Sequence, residues 1–481
     1  MKNFIERNFY ILPILVIFFT LIFSLMTLTT KPRLWYDEGL NIEVARNISY
    51  SNIVEAQIAP NVFSEQTVRM FQATGYPVTI PLAIFFKVFG FGAVQARLYM
   101  LLWVTLTLFA VLWIIQRFFG KDEALLALLL IVTFAPFHDN GRTVIGEIPG
   151  FFFLLTGFYF LFRQKVFFMG GLLFGLAAAA KISVYLALIP ALFFYFIITE
   201  REAFYKNLIK VYSGMAISMI LEIFFVMAKP FSVSGWKEAF ALFKNPFGES
   251  VSPFVYIFEN VRNIPQTTTL VYFFLIVIII GAIIFYRKHT LSKDASFRHF
   301  IVFSGVYSLF AFLYYLKSPG WLRYLIAVEL LILILLPVVL KRFLDGIGSK
   351  RRWIYYLVIP VVIFQGFHLI TRADIFYSKD EQSIVSLVGE KFQGESIGVF
   401  NIPQIGAFIP ENQKYQFFKM VGVPLIGKNP LLYDPPIDVL IIRDGEIENI
   451  ESNERKKLED YRVYAIIGRY YVYLRNINEE E

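Results

Sequence analysis

The chain contains no cysteine, which excludes disulfides, thiolate catalysis and cysteine-based metal centres and leaves the redox compartment open. Charge is scarce: Asp, Glu, Lys and Arg together make up 17% of 481 residues. Lys and Arg outnumber the acids, 45 to 37, for a net charge of +8. No basic tract stands apart from the apolar segments, so this excess points to membrane topology and away from nucleic acid. Internal repeats and low-complexity linkers are also missing. What the chain has in abundance is apolar surface, 57% hydrophobic and 18% aromatic residues, well above a soluble domain's share. These proportions define an integral membrane protein.

Long apolar runs, each near the ~20 residues that cross a bilayer, place spans at 9–29, 95–116, 123–137, 147–162, 166–180, 183–199, 207–228, 268–286, 299–315, 323–340 and 353–370. The first run is too long for a secretory signal and lacks a small-x-small cleavage site, so it reads as a retained helix. Eleven spans put the termini on opposite sides. Short loops dense in Lys and Arg (Arg117 and Lys121; Arg163 and Lys165; Arg201 and Lys206; Arg287 to Arg298; Lys341 to Arg352) share a side with Lys2 and Arg7. The positive-inside rule makes that side cytoplasmic. The first outer loop, about residues 30–94, holds apolar helical stretches such as IPLAIFFKVF, expected to lie in the interface.

Beyond residue 371 the long apolar runs end and short alternating segments begin. SIGVFN, IDVLII, YRVYAIIG and RYYVYL predict strands, the last two joined in a hairpin at Gly468 and Arg469. Gln382 to Phe392 and Ile447 to Leu458 carry helical spacing. The expected architecture is a polytopic α-helical membrane domain, residues 1–370, followed by a small extracytoplasmic α/β domain, 371–481.

The outer face gathers ionisable groups from separate parts of the chain: Asp37, Glu38, His138, Asp139, Arg142, Glu147, Lys181, Arg323 and Tyr324. Such groups at a membrane boundary cost free energy unless paired or used, which makes the set a candidate site. Snorkelling of single residues to water is the alternative for each. Glu222 and Glu329 fall within spans and have no assigned role.

WYDEG after the first span, then GYPVTIPLAIFFKVFGFGAVQARL, GRTVIGEIPGFFFLL, GLLFGLAAAAKISVYLALIP and SPGWLRYLIAVELLI resemble, in order, the GT-C glycosyltransferases of the protein O-mannosyltransferase and lipid A aminoarabinose transferase type. The resemblance covers about residues 30–340 and implies inverting transfer of a sugar from a polyprenyl-phosphate donor to a lipid, glycan or protein acceptor on the outer face of the cell membrane. The family's acid pair falls on Asp37 and Glu38, the first acid being the implied general base. A good leaving group such as polyprenyl phosphate needs one carboxylate and no second as acid. Glu38 either orients the acceptor or braces a helix N-terminus.

Lys181, Arg323 and Tyr324 are the candidates for the donor phosphate, where cations stabilise the leaving charge; Tyr324 is alternatively an aromatic-belt anchor. Glu147, Asp139, His138 and Arg142 are candidates for the sugar or acceptor, with Glu147 able to hold sugar hydroxyls, a metal or Arg142. Arg97 matches an arginine landmark and is expected to form a structural pair. One histidine with scattered carboxylates makes a poor metal set. The related mannosyltransferases need no metal whereas the oligosaccharyltransferase branch does, so no required cofactor is expected and a divalent cation is the alternative. Glu147 stands where relatives more often have Asp, and the stretch at Gly75 lacks their double proline, which leaves the acceptor open. A polyprenyl-linked-sugar flippase or a non-catalytic envelope subunit are the alternatives; the first would show charge on both faces or paired repeats.

Overall fold

The computed structural model describes residues 11–63, 74–199, 203–244, 253–266, 271–272, 275–277, 279–281, 295–318, 322–346, 353–371, 378–410, 412–418, 437–446 and 458–476. Helix α1 (Ile11–Met26) leads to α2 (Tyr36–Ser51), a short ribbon of β1 (Gln57–Ala59) and β2 (Val62–Phe63), and α3 (Tyr76–Phe89). The bundle continues through α4 (Ala93–Phe118), α5 (Lys121–Val132), α6 (Ala135–Arg142), α7 (Glu147–Phe162), α8 (Phe167–Ala180), α9 (Ile182–Tyr185), α10 (Leu188–Thr199) and α11 (Phe204–Val226). Next come α12 (Val233–Lys244), α13 (Pro253–Asn263), α14 (Ala295–Lys317), a 3-10 turn at Leu322–Leu325, α15 (Ile326–Gly346) and α16 (Trp353–Thr371).

Among the described residues, six helical segments are long and apolar enough to cross a bilayer: Ala93–Phe118, Ile182–Thr199, Phe204–Val226, Ala295–Lys317, Leu322–Gly346 and Trp353–Thr371. Helices α5 and α6, bent by 69° at their junction, make a seventh as a broken span. Pro136 in the first turn of α6 cannot donate back to α5, and its ring clashes with a continuing helix. Ten of the eleven expected spans coincide with described helices or helix pairs; the eleventh, 268–286, falls largely outside the described residues. Helices α1, α7 and α8, with 16, 16 and 14 residues, are shorter than ~20 residues. The expected interfacial stretch IPLAIFFKVF forms the body of α3, which follows the N-cap Gly75 and has Pro77 in its first turn.

The C-terminal part contributes α17 (Asp380–Lys391), β3 (Ile397–Phe400), α18 (Pro403–Gly406), β4 (Tyr415–Phe418), β5 (Val439–Arg443), β6 (Tyr461–Ile467) and β7 (Tyr470–Arg475). The sheet runs β4-β3-β5-β7-β6, with β3 parallel to both β4 and β5 and the β6–β7 hairpin antiparallel. All four strands read from the sequence are present, as is the helix at Gln382 to Phe392; the one at Ile447 to Leu458 lies largely outside the described residues. Strand β4 was not expected, because four residues, YQFF, show no periodicity until β3 supplies a partner.

The division at residue 371 is crossed by packing. Leu40 of α2 and Ile58 of β1 sit in the same hydrophobic core as Ile384, Ile397, Val399, Phe417 and Ile441. Arg46 Nη1 donates to the carbonyls of Ala407 at 2.9 Å and Ile409 at 3.3 Å. Gly39 lies so close to α18 that a Cβ there would stand 2.4 Å from the Gln404 backbone nitrogen. Alanine at 39 improves helix propensity by about 1 kcal/mol, yet backbone cannot give way as a side chain can. Gly39→Ala is therefore expected to destabilise by about 1–3 kcal/mol as an overpacked contact, read as a lower Tm in detergent; a raised Tm would show that α18 does not press on α2.

Candidate active site

Asp37 and Glu38 stand in the first turn of α2, where carboxylates favour the positive helix end. Adjacent helical residues point about 100° apart, and the two acids accordingly meet different partners. Glu38 turns into the protein: Arg97 Nε donates to Oε1 at 2.9 Å and Nη2 to Oε2 at 2.8 Å, both side chains fully buried. Arg97 Nη1 also donates to the carbonyls of Leu28 and Pro32 at 2.8 and 2.6 Å, tying the end of the first span to α2 and α4. The expectation of Glu38 in the catalytic pair is corrected here. Its two oxygens are held by a guanidinium fork in a dry interior, while Asp37 alone of the two keeps an exposed edge.

Asp37 faces the other way and stays 22% exposed. Arg323 Nη2 donates to its Oδ2 at 2.6 Å. The guanidinium lies over the Trp35 ring, 4.5 Å from its centroid, and 5.7 Å from that of Tyr324. On its other side Arg323 Nε is 3.9 Å from Glu147 Oε1, and Lys181 Nζ is 3.9 Å from the same oxygen. Asp37, Arg323, Glu147 and Lys181 thus form one alternating set of two acids and two bases. Glu147 is fully buried, and neither carboxylate oxygen receives a hydrogen bond within the protein. Burial pushes the Lys181 ammonium below the usual lysine range; Glu147 pulls it back up, Arg323 lowers it further and Asp37 raises it.

Local structure explains why these four meet. Glu147 opens α7 after the N-cap Gly146. Lys181 occupies the break between α8 and α9 with extended backbone, φ −154° and ψ 92°, so its side chain leaves the helix path at the bundle's end. Arg323 sits in the 3-10 turn before α15. Three helix boundaries and the start of α2 thus bring the charges to one place.

The other candidates lie apart. His138 Nε2 contacts the Val132 carbonyl at 2.7 Å, across the α5–α6 bend, and packs edge-on against Phe23. Arg142 donates to the His138 carbonyl at 3.2 Å and to Thr27 Oγ1 at 2.8 Å, and interacts electrostatically with Asp139 and Arg97. His138 and Arg142 are nearly fully buried. The expectation that they line the sugar or acceptor site is corrected: they brace α6 against α1 beside the Glu38–Arg97 pair, while Asp139 is half-buried next to Arg142. Glu147 pairs with Lys181 and Arg323, not with Arg142. Among the described residues no three His, Asp or Glu side chains converge as a metal-ligand set. Two participants escaped the sequence reading. Trp35, under the Arg323 guanidinium, carries no charge to mark it, and Tyr185, whose hydroxyl donates to the Glu147 carbonyl, stands within an apolar run.

The mostly helical fold, with up to seven described segments long and apolar enough to cross a membrane and a small C-terminal sheet, is shared with a solved structure. It superposes on the crystal structure of ArnT from Cupriavidus metallidurans bound to undecaprenyl phosphate with a TM-score of 0.62 at 13% identity, covering 100% of this chain and 99% of that one. The apo state of the same protein gives 0.61 at 13% identity, with 96% and 97% covered. Residues 78–227 match the family described as dolichyl-phosphate-mannose-protein mannosyltransferase, so the resemblance carried by the sequence landmarks holds. No curated protein sequence matches the chain.

Proposed function

We propose that the protein transfers a sugar from a polyprenyl-phosphate donor to an acceptor hydroxyl on the outer face of the cell membrane, with inversion at the anomeric carbon and no required cofactor. The observation that carries this reading is the partly exposed Asp37 placed beside two cations that converge on a buried, hydrogen-bond-free Glu147. Asp37 Oδ2 is held by Arg323, and Oδ1 takes the proton from the acceptor O–H as that oxygen attacks the anomeric carbon. The bond from that carbon to the phosphate oxygen breaks, and the electron pair leaves with the polyprenyl phosphate. Lys181 and Arg323 stabilise the charge that develops there, one as a point charge and one as a planar fork. Tyr324, beside Arg323, adds a hydroxyl at the same place, and Glu147 keeps the two cations apart and aligned. The fold and partial family match support this class of donor. The loop charges support an outward C-terminal domain and a cytoplasmic N-terminus.

The test is purified protein in nanodiscs with radiolabelled polyprenyl-phosphate hexoses and pentoses and crude envelope acceptors, scored for label leaving the lipid. Release by the wild type is expected, while tight binding without release would make the protein a lipid-carrier binder or transporter. Lys181→Ala and Arg323→Ala are each expected to raise the donor KM by about 10- to 100-fold, a loss of a charge-assisted contact of about 1.5–3 kcal/mol, with acceptor KM little changed. Unchanged donor dependence in both would remove them from the phosphate site. Because the Lys181 ammonium titrates below the ordinary lysine range, donor affinity should fall on the alkaline side as that charge is lost. Lys181→Arg, which stays protonated, should shift the fall to higher pH. An identical alkaline limb in that variant would assign it to another group.

A further inference from the structure

Glu222 lies buried in α11, a helix long and apolar enough to cross the membrane, where a carboxyl group is expensive to keep. Its Oε2 accepts a hydrogen bond from the backbone N–H of Tyr76 at 3.0 Å, at the start of α3. Gly75, the residue before, is pressed between this carboxyl group and α8. A Cβ at position 75 would stand 2.4 Å from Glu222 Oε2 and 2.0 Å from the carbonyl oxygen of Ala179. The Gly75 N–H points to the Ala180 carbonyl, 3.5 Å away. Gly146 closes on the same peptide: a Cβ there would lie 1.7 Å from the Ala180 oxygen and 3.1 Å from the Lys181 Cβ. The residues just before Lys181 are therefore in close contact with two glycine turns, one of which ends on Glu222. Asn41, one turn beyond Asp37 on α2, holds both turns together through Nδ2, which donates to Thr74 Oγ1 at 3.0 Å and to the Val144 carbonyl at 2.6 Å.

We propose that Glu222 is a positioning residue for Lys181: it fixes the Gly75–Tyr76 turn, the turn fixes the end of α8, and the end of α8 aims the lysine beside Glu147 and Arg323. This inference rests on the donor-phosphate role given to Lys181 above. Its chemistry is specific. The carboxyl group serves as a hydrogen-bond acceptor for one N–H, a task a neutral amide performs equally well. An apolar side chain of similar size cannot do it, and takes from the part-buried Tyr76 N–H its acceptor.

The experiment measures binding of undecaprenyl phosphate itself to the purified chain in nanodiscs, with thermal unfolding alongside, for the wild type and Lys181→Ala, Glu222→Gln, Glu222→Leu and Gly75→Ala. Glu222→Gln should bind within about twofold of wild type, while Glu222→Leu and Gly75→Ala should bind about tenfold more weakly, with donor KM raised and kcat at saturation nearly kept, as a misplaced first contact would give. Equal loss in the Gln and Leu variants at unchanged Tm would overturn the proposal, since the carboxyl group would then act by charge. Unchanged binding in folded Glu222→Leu would overturn it as well. Should Glu222→Leu fail to fold, Gly75→Ala decides: if it folds and binds like the wild type, the turn does not aim the lysine. Wild type and Lys181→Ala binding alike would instead refute the phosphate role on which the inference rests.

Discussion

Asp37→Asn is expected to lower kcat by about 10²–10⁴-fold, the range removed with a general base, while the protein remains folded and still binds its lipid donor. The structure makes this separation possible. The amide oxygen of asparagine can accept the Arg323 Nη2–H in place of Oδ2, so the contact at 2.6 Å survives, and the Arg323 guanidinium keeps Glu147, 3.9 Å away, as a counter-charge. What asparagine cannot do is take a proton from an acceptor hydroxyl. Donor KM should therefore change little, because Lys181 and Arg323 remain in place. Turnover of the variant at near-wild-type rate would show that another group is the base. Loss of folding together with activity would mean that Asp37 works as a strut for Arg323.

The neighbouring acid should behave in the opposite way. Arg97→Ala leaves Glu38 fully buried and unpaired, and also removes the donor to the Leu28 and Pro32 carbonyls. Breaking such a pair from one side costs about 3–5 kcal/mol, enough to lower Tm in detergent by many degrees and to reduce the yield of folded protein. Removing both partners as Glu38→Gln with Arg97→Met should recover part of that loss, since the penalty comes mainly from the orphaned charge. Near-normal stability of Arg97→Ala would mean that water or another cation reaches Glu38. Two carboxylates next to each other in sequence would thus be told apart by two different measurements, one kinetic and one thermodynamic.

That contrast marks where sequence reading reached and where it stopped. The WYDEG segment identifies two acids at the end of an apolar run, and the run lengths and loop charges locate the helix boundaries from which Glu147, Lys181 and Arg323 emerge. Nothing in one dimension says which acid turns inward. That depends on the helical rotation between residues 37 and 38 and on Arg97 arriving from α4. His138 and Arg142 were grouped with the site because they share its boundary in the chain; the bend between α5 and α6 swings them toward α1 instead. Helix α2 is the clearest case. Its residues are largely polar, and reading the first loop as interfacial does not anticipate that Glu38 through Asn47 are buried without exception.

By itself the sequence determined the membrane class, the positions of most helices, the strands of the C-terminal sheet other than β4, and the residue types available for chemistry, because apolar length, charge placement and turn residues are local properties written in order along the chain. Only the tertiary structure decided which charges face one another, that the C-terminal sheet shares a core with α2, and that two glycine turns hold the segment leading to Lys181. Those outcomes arise where groups far apart in the chain meet in a dry interior: there an acid must find its cation, a backbone N–H its acceptor and a peptide its clearance, and none of these partners is a sequence neighbour.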